Sequence, residues 1–182
     1  MKKKKIRGIQ SLPKDAVYDM IDFPIDKLII IASSKNLHAI LWDKKVDIGL
    51  DRAKDHPIIL QTQQQLNEYF QCKRKQFDLP ITFQGTDFQM SVWKELMNIP
   101  YGETISYGEQ ARRVGNKNKA RATGVANGSN PISIVIPCHR VIGSNGSLVG
   151  FGGGLDKKSY LLALEQRLDF ENSSNTLLPW QR

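Results

Sequence analysis

Residues 85–126 read GTDFQMSVWKELMNIPYGETISYGEQARRVGNKNKARATGVA, and their spacing decides the second half of the fold. Phe88, Val92, Leu96 and Ile99 recur every three or four residues, the period of one helix face. Thr86 or Asp87 can cap this helix, and Pro100, Tyr101 and Gly102 stop it. Ser106 and Glu109 form an S-x-x-E capping box for a shorter helix ending at Gly115. Asn118 is placed to cap a third, from Lys119 to about Ala126. Two short helices joined by a tight turn read as a helix-turn-helix or as a plain helical hairpin.

The third helix sets small residues around one long cation, Arg121. Small side chains let a backbone approach a nucleic-acid groove, where an arginine can enter the base stack. They equally let a helix pack tightly on its neighbour. Residues 112–121 carry Arg112, Arg113, Lys117, Lys119 and Arg121 with no acid, a pattern ordinarily found on a solvated face.

Toward the N-terminus, Leu28–Ala32 and the stretch around His38–Trp42 read as strands joined by the polar turn Ser33–Asn36. Residues 57–72 read as a helix with Ile59, Leu66 and Phe70 among its apolar positions. Phe77–Pro80 leads out as a connector. The expected division is a domain over 1–84, a second over 85–172 and a tail over 173–182.

Length and composition frame these readings. The 182 residues suffice for one large or two small cores, and 40% hydrophobic with 24% charged is ordinary for a soluble globular chain. No window approaches 18 apolar residues, so no membrane span is expected. The basic start MKKKKIRGIQ lacks an apolar region after it, so no signal peptide is expected. Lys2, Lys3, Lys4, Lys5 and Arg7 hold +5 of the net +8 charge, so bulk charge alone does not argue for nucleic acid. Two cysteines are too few for a disulfide framework or a four-cysteine zinc site, and suit a reducing, cytoplasmic setting.

The chemistry concentrates at residues 131–141, PISIVIPCHRV. An apolar, β-branched run ends at Pro137, and Cys138 and His139 follow. Cys72 reads as a small hydrophobe. Cys138 precedes a glycine-rich loop and adjoins a titratable side chain, so a partly exposed thiol of lowered pKa is expected there. On an extended segment neighbouring side chains diverge, so His139 would act through a turn or a bridging water. Glu165 shares a helix face with Leu161, Leu164 and Leu168 in a helix capped by Asp156. A carboxylate in an apolar stripe needs a partner. His139 is one candidate, which would give a Cys–His–Glu triad, and a surface pair with Lys158 or Arg167 is the other. The loop GSNGSLVGFGGG (143–154) suits a tight turn at Asn145–Gly146 and close backbone contact with a flat ligand. It lacks the context of a phosphate-binding loop.

IPCHRV (136–141) resembles the signature of the O6-alkylguanine-DNA alkyltransferases. The segments 85–111, KARATGVANGSNP (119–131) and LVGFGGGLDKKSYLLALE (148–165) extend the resemblance almost continuously over 85–165. HPIILQTQQQLNEYF and the FDLP after it match more loosely. The resemblance implies an α+β protein, with a small ribonuclease H-like α/β domain before a helical, winged-helix-like DNA-binding domain. It implies a single-use methyltransferase that flips O6-alkylguanine, and O4-alkylthymine, from duplex DNA. Cys138 would accept the alkyl group, His139 would deprotonate it through a water, and Glu165 would orient the histidine. Asn130 would be the hinge residue, Tyr107 would contact the base and its phosphate, and Arg121 would fill the vacated stack. Val141 and Gly152 would offer backbone contacts to guanine; Gln89, Asn116, Ala120 and Ser144 would touch the DNA backbone.

Double-stranded DNA is thus the expected partner of a cytoplasmic monomer, with no cofactor. Some family members carry N-terminal zinc ligands, but the only N-terminal cysteine here is Cys72, so no metal is expected. Phe151 stands where many members have tyrosine, and Asn127 and Gly128 replace larger or basic residues, which puts DNA affinity and tolerance of bulky lesions in question. Two rival readings are a non-catalytic alkyltransferase-like lesion binder, which would lack the reactive cysteine, and a Cys–His–Glu hydrolase.

Overall fold

The computed structural model describes residues 9, 11–42 and 49–166. The basic cluster Lys2–Arg7, Leu168 and the 173–182 tail lie outside them. The chain divides into two compact units. One holds the described residues up to Thr86 together with Pro131–Val135, and the other holds Asp87–Asn130 and the described residues from Ile136 onward. Residues 131–135, expected in the second domain, therefore cluster with the first.

In the first unit β1 (Val17–Asp22), β2 (Lys27–Ala32) and β3 (Leu37–Trp42) form an antiparallel meander. A two-residue strand, β4 (Asp51–Arg52), pairs parallel to β1, giving the order β3-β2-β1-β4. The central strand is the unbroken run Leu28–Ala32, all at most 1% exposed, as a strand covered on both faces requires. Ile29 and Ile31 join Ala16 and Ala39 in one cluster. α1 (Pro57–Phe70) packs on β1 and β2. Pro57 sits in its first turn, where the missing N–H costs nothing. Ile132 bridges Ile40 of β3, so the 131–133 stretch extends this unit's pairing rather than forming a strand that leads to Cys138.

The second unit is mainly helical. α2 (Asp87–Leu96), α3 (Tyr107–Arg113) and α4 (Ala120–Asn127) pack on one another. Val92, Trp93 and Leu96 of α2 are fully buried, and Trp93 Nε1 donates to the Ala126 carbonyl of α4 at 2.8 Å. Gln110 of α3 and Asn127 of α4 exchange amide hydrogen bonds (3.3 and 2.7 Å) in the interior. Asn127 thus faces Gln110 inside the unit.

The Ser106 hydroxyl accepts from the Glu109 amide at 3.0 Å, as the capping pattern predicts. The return half of the box is absent from these contacts: the Glu109 carboxylate binds Arg112 and Arg113 instead. Asn118 does not cap α4. Residues Lys117–Lys119 form a 3-10 turn, and Lys119 occupies the capping position without a side-chain bond.

A short parallel pair, β5 (Ile105–Ser106) with β6 (Val141–Ile142), joins the start of α3 to the segment after Cys138. The chain turns back at Ser144–Gly146, with Gly146 at φ 81°, and enters α5 (Leu155–Gln166). Asp156 lies within α5 rather than capping it.

Candidate active site

Cys138 begins a 3-10 turn, Cys138–Arg140, rather than ending a strand. α2 and α5 pack on this turn. Its thiol is only 6% exposed, and burial pushes its pKa up, opposed by a hydrogen bond from Asn130 and the charge of Lys158. The expected partly exposed cysteine of lowered pKa is therefore not what the fold gives. The sequence motif identifies the thiol, but packing by two helices sets its environment.

Asn130 follows α4 and points its amide at this turn. Nδ2 donates to the Ile136 carbonyl at 2.7 Å and to Cys138 Sγ at 3.3 Å. His139 is completely buried, with Nε2 2.8 Å from Glu165 Oε1. That contact assigns the proton to Nε2 and leaves the Nδ1 lone pair as the basic position. Nδ1 has no hydrogen-bond partner among the described residues. Burial lowers the His139 pKa, against the pull of Glu165.

Glu165 is buried on the face of α5 that carries Leu161. It pairs with His139 and Arg140. Of the two cations that the sequence left open, Lys158 binds main-chain carbonyls, and Arg167 lies outside the described residues. Burial disfavours the carboxylate, but His139 and the bidentate Arg140 guanidinium overcome this and hold its pKa well below the usual range.

Two cations are buried here: Arg140, which sequence reasoning missed, and Lys158, which it weighed only as a surface partner of Glu165. Arg140 donates from Nε and Nη2 to Glu165 (2.8 and 2.9 Å) and from Nη1 to the Ile99 carbonyl (2.6 Å). Lys158 donates from Nζ to the carbonyls of Val141 (2.6 Å) and Val149 (2.8 Å), stapling β6 to the glycine-rich loop. Burial lowers its pKa to about 8. A signal existed for Lys158, which precedes Leu161 by three residues and Glu165 by seven on the same helix face.

Tyr107 opens α3, beside the β5–β6 pair. Its hydroxyl lies 2.9 Å from the Val149 carbonyl and 3.2 Å from that of Gly150. Burial and the neighbouring Cys138 push its pKa up to about 12. Val141 is fully buried, whereas Gly152 is exposed on the loop. The remaining DNA-facing candidates spread over the surface: Arg121 and Ser144 are exposed, and Gln89, Asn116 and Ala120 are half-buried. Among the described residues no group of three or more His, Cys, Asp or Glu side chains is placed to hold a metal.

Two family models cover this architecture: the ribonuclease-like domain of 6-O-methylguanine DNA methyltransferase over residues 16–83, and its DNA-binding domain over residues 87–167. The chain belongs to the 6-O-methylguanine DNA methyltransferase family. A methylated-DNA–protein-cysteine methyltransferase of Methanosarcina barkeri is 44% identical over 152 residues, spanning 82% of this chain and 96% of the relative. The crystal structure of the Mycobacterium tuberculosis O6-methylguanine methyltransferase superposes with a TM-score of 0.78 at 41% identity, covering 83% of this chain and 93% of that one. The same enzyme in complex with DNA gives 0.78 at 42% identity, covering 82% and 92%. The expected α+β architecture, a ribonuclease-like domain followed by a DNA-binding domain, is that of this family. No described helix is long and apolar enough to cross a membrane.

Proposed function

We propose that this chain, a DNA-repair methyltransferase by family, flips O6-alkylguanine out of duplex DNA and moves the alkyl group onto Cys138, once per molecule. The observation that carries this reading is the buried cluster in which Asn130 binds Sγ while the adjacent His139 is paired with Glu165.

The Cys138 S–H proton passes to His139 Nδ1, directly or through a water. The sulfur attacks the alkyl carbon, the carbon–O6 bond breaks, and guanine departs with the electron pair and takes up a proton at N1, while the proton that His139 received from the thiol returns to solvent. The Asn130 amide stabilises negative charge on sulfur as it develops, and Glu165 stabilises the imidazolium. Tyr107, with a pKa of about 12, serves guanine as a hydrogen-bond donor rather than as a source of a free proton. To do so its hydroxyl leaves the Val149 and Gly150 carbonyls. The resulting thioether has no easy hydrolytic exit, so the protein is consumed.

Flipping costs a few kcal/mol of stacking. Exposed Arg121 on the small-faced α4 offsets part of it by entering the gap, and Gln89, Asn116, Ala120 and Ser144 hold the backbone. Val141 and Gly152 supply main-chain contacts to the base. O4-alkylthymine presents similar chemistry.

The test is a transfer assay with excess oligonucleotide carrying labelled O6-methylguanine. Transfer should plateau at one methyl group per chain, whereas continued turnover would overturn the single-use reading.

A further inference from the structure

Arg140 is the one member of the Cys138–His139–Arg140 turn with no assigned part in the reaction. We propose that Arg140 is a positioning residue that fixes Glu165 in one orientation and shares its charge, so that His139 rests as a neutral acceptor beside an un-ionised Cys138. This deepens the proposed transfer mechanism and rests on it only for its functional consequence.

The geometry is over-determined in a way that serves more than stability. Glu165 Oε1 receives both His139 Nε2 (2.8 Å) and Arg140 Nη2 (2.9 Å). Oε2 receives Arg140 Nε (2.8 Å) and the Gly102 amide (3.1 Å). The guanidinium is itself anchored by Nη1 on the Ile99 carbonyl and lies 5.8 Å from the centre of the Tyr101 ring. The carboxylate therefore cannot rotate away from the histidine without giving up the fork on Arg140.

The charge balance matters equally. A lone buried carboxylate against a buried imidazole would draw a proton onto the ring and favour an imidazolium, with a thiolate on Cys138. With Arg140 in contact, the carboxylate is already matched, and the imidazolium would add an uncompensated charge. The charged groups acting on His139 are Glu165 and Lys158 from α5 and Arg140 from its own turn; α2, which also packs there, adds none. Both cations oppose protonation of the ring. The thiol proton then moves to Nδ1 only as sulfur bonds to the alkyl carbon, and the resting cysteine is protected from stray electrophiles.

The experiment is an NMR titration of the histidine Cε1–H signals in the full chain, which has only three histidines. His139 in the unaltered protein should titrate below the ordinary value of about 6.5. A midpoint well above 7 would overturn the proposal whatever any variant does. In Arg140→Met the midpoint should rise by about one unit or more, and the pH profile for iodoacetamide labelling of Cys138 should move toward acid with it. Arg140→Lys, which keeps the charge but not the fork, should restore part of both. If Arg140→Met does not fold, Arg140→Gln carries the same expectation. An unchanged midpoint in a folded, charge-removed variant, or a lysine variant that behaves like methionine, contradicts the proposal. None of these readings needs methyl transfer from DNA, so failure of the transfer mechanism would register separately.

Discussion

One amide nitrogen of Asn130 serves both the Ile136 carbonyl, at 2.7 Å, and the Cys138 sulfur, at 3.3 Å. The same donor shapes the turn and touches the sulfur proposed to take the alkyl group. Asn130→Ala removes both bonds and leaves a buried carbonyl without this donor, which should cost about 1–3 kcal/mol in urea unfolding. The Cys138 pKa should rise further, and methyl transfer at neutral pH should slow at least tenfold. A variant with wild-type rate would remove Asn130 from the mechanism.

Glu165→Gln conserves shape but leaves Arg140 buried without its counter-charge. The expected loss is about 3–5 kcal/mol. Because the penalty comes from the stranded cation, the double variant Glu165→Gln/Arg140→Met should recover part of it. Denaturation curves for the three proteins decide this, and an additive loss in the double variant would refute it.

Lys158 gives a pH signature. Its pKa in the folded state, about 8, lies below the ordinary 10.5. Between these values the unfolded chain binds a proton that the folded protein has released, so this group's contribution to stability rises with pH across that window. Tyr107 and Cys138 are shifted upward and act oppositely at alkaline pH, so the observable is a difference. The stability of wild type minus that of Lys158→Met should grow between pH 8 and 10.5. A flat difference would mean that the amine is not held at a lowered pKa.

Arg121 is exposed on α4. Arg121→Ala should therefore change stability by no more than about 0.5 kcal/mol. Repair of O6-methylguanine in duplex DNA should slow markedly, while reaction with free O6-benzylguanine stays near wild type. Equal loss on both substrates would rule out a role in holding the opened stack.

Local periodicity made much of this fold legible. The run Leu28–Ala32 announced a strand, and the spacing of Val92, Leu96 and Ile99 announced α2. Glu165 stood out because a carboxylate had no reason to interrupt an apolar stripe. β1 was not singled out, since Val17–Asp22 mixes two aspartates into its alternation. Arg140 was missed for a different reason: its partners Ile99 and Glu165 are 41 and 25 residues away, and only the tertiary fold brings them to it. The thiol's burial was hidden in the same way, because it depends on α2 and α5 closing over a turn that sequence showed as a strand end.

Alkyl transfer to Cys138 is read out by intact and peptide mass analysis after incubation with duplex DNA carrying one O6-methylguanine. A gain of one methyl group is expected, located on Cys138 and absent from Cys138→Ser, with guanine restored in the DNA. An unchanged mass, or a methyl group on any other residue, would contradict it.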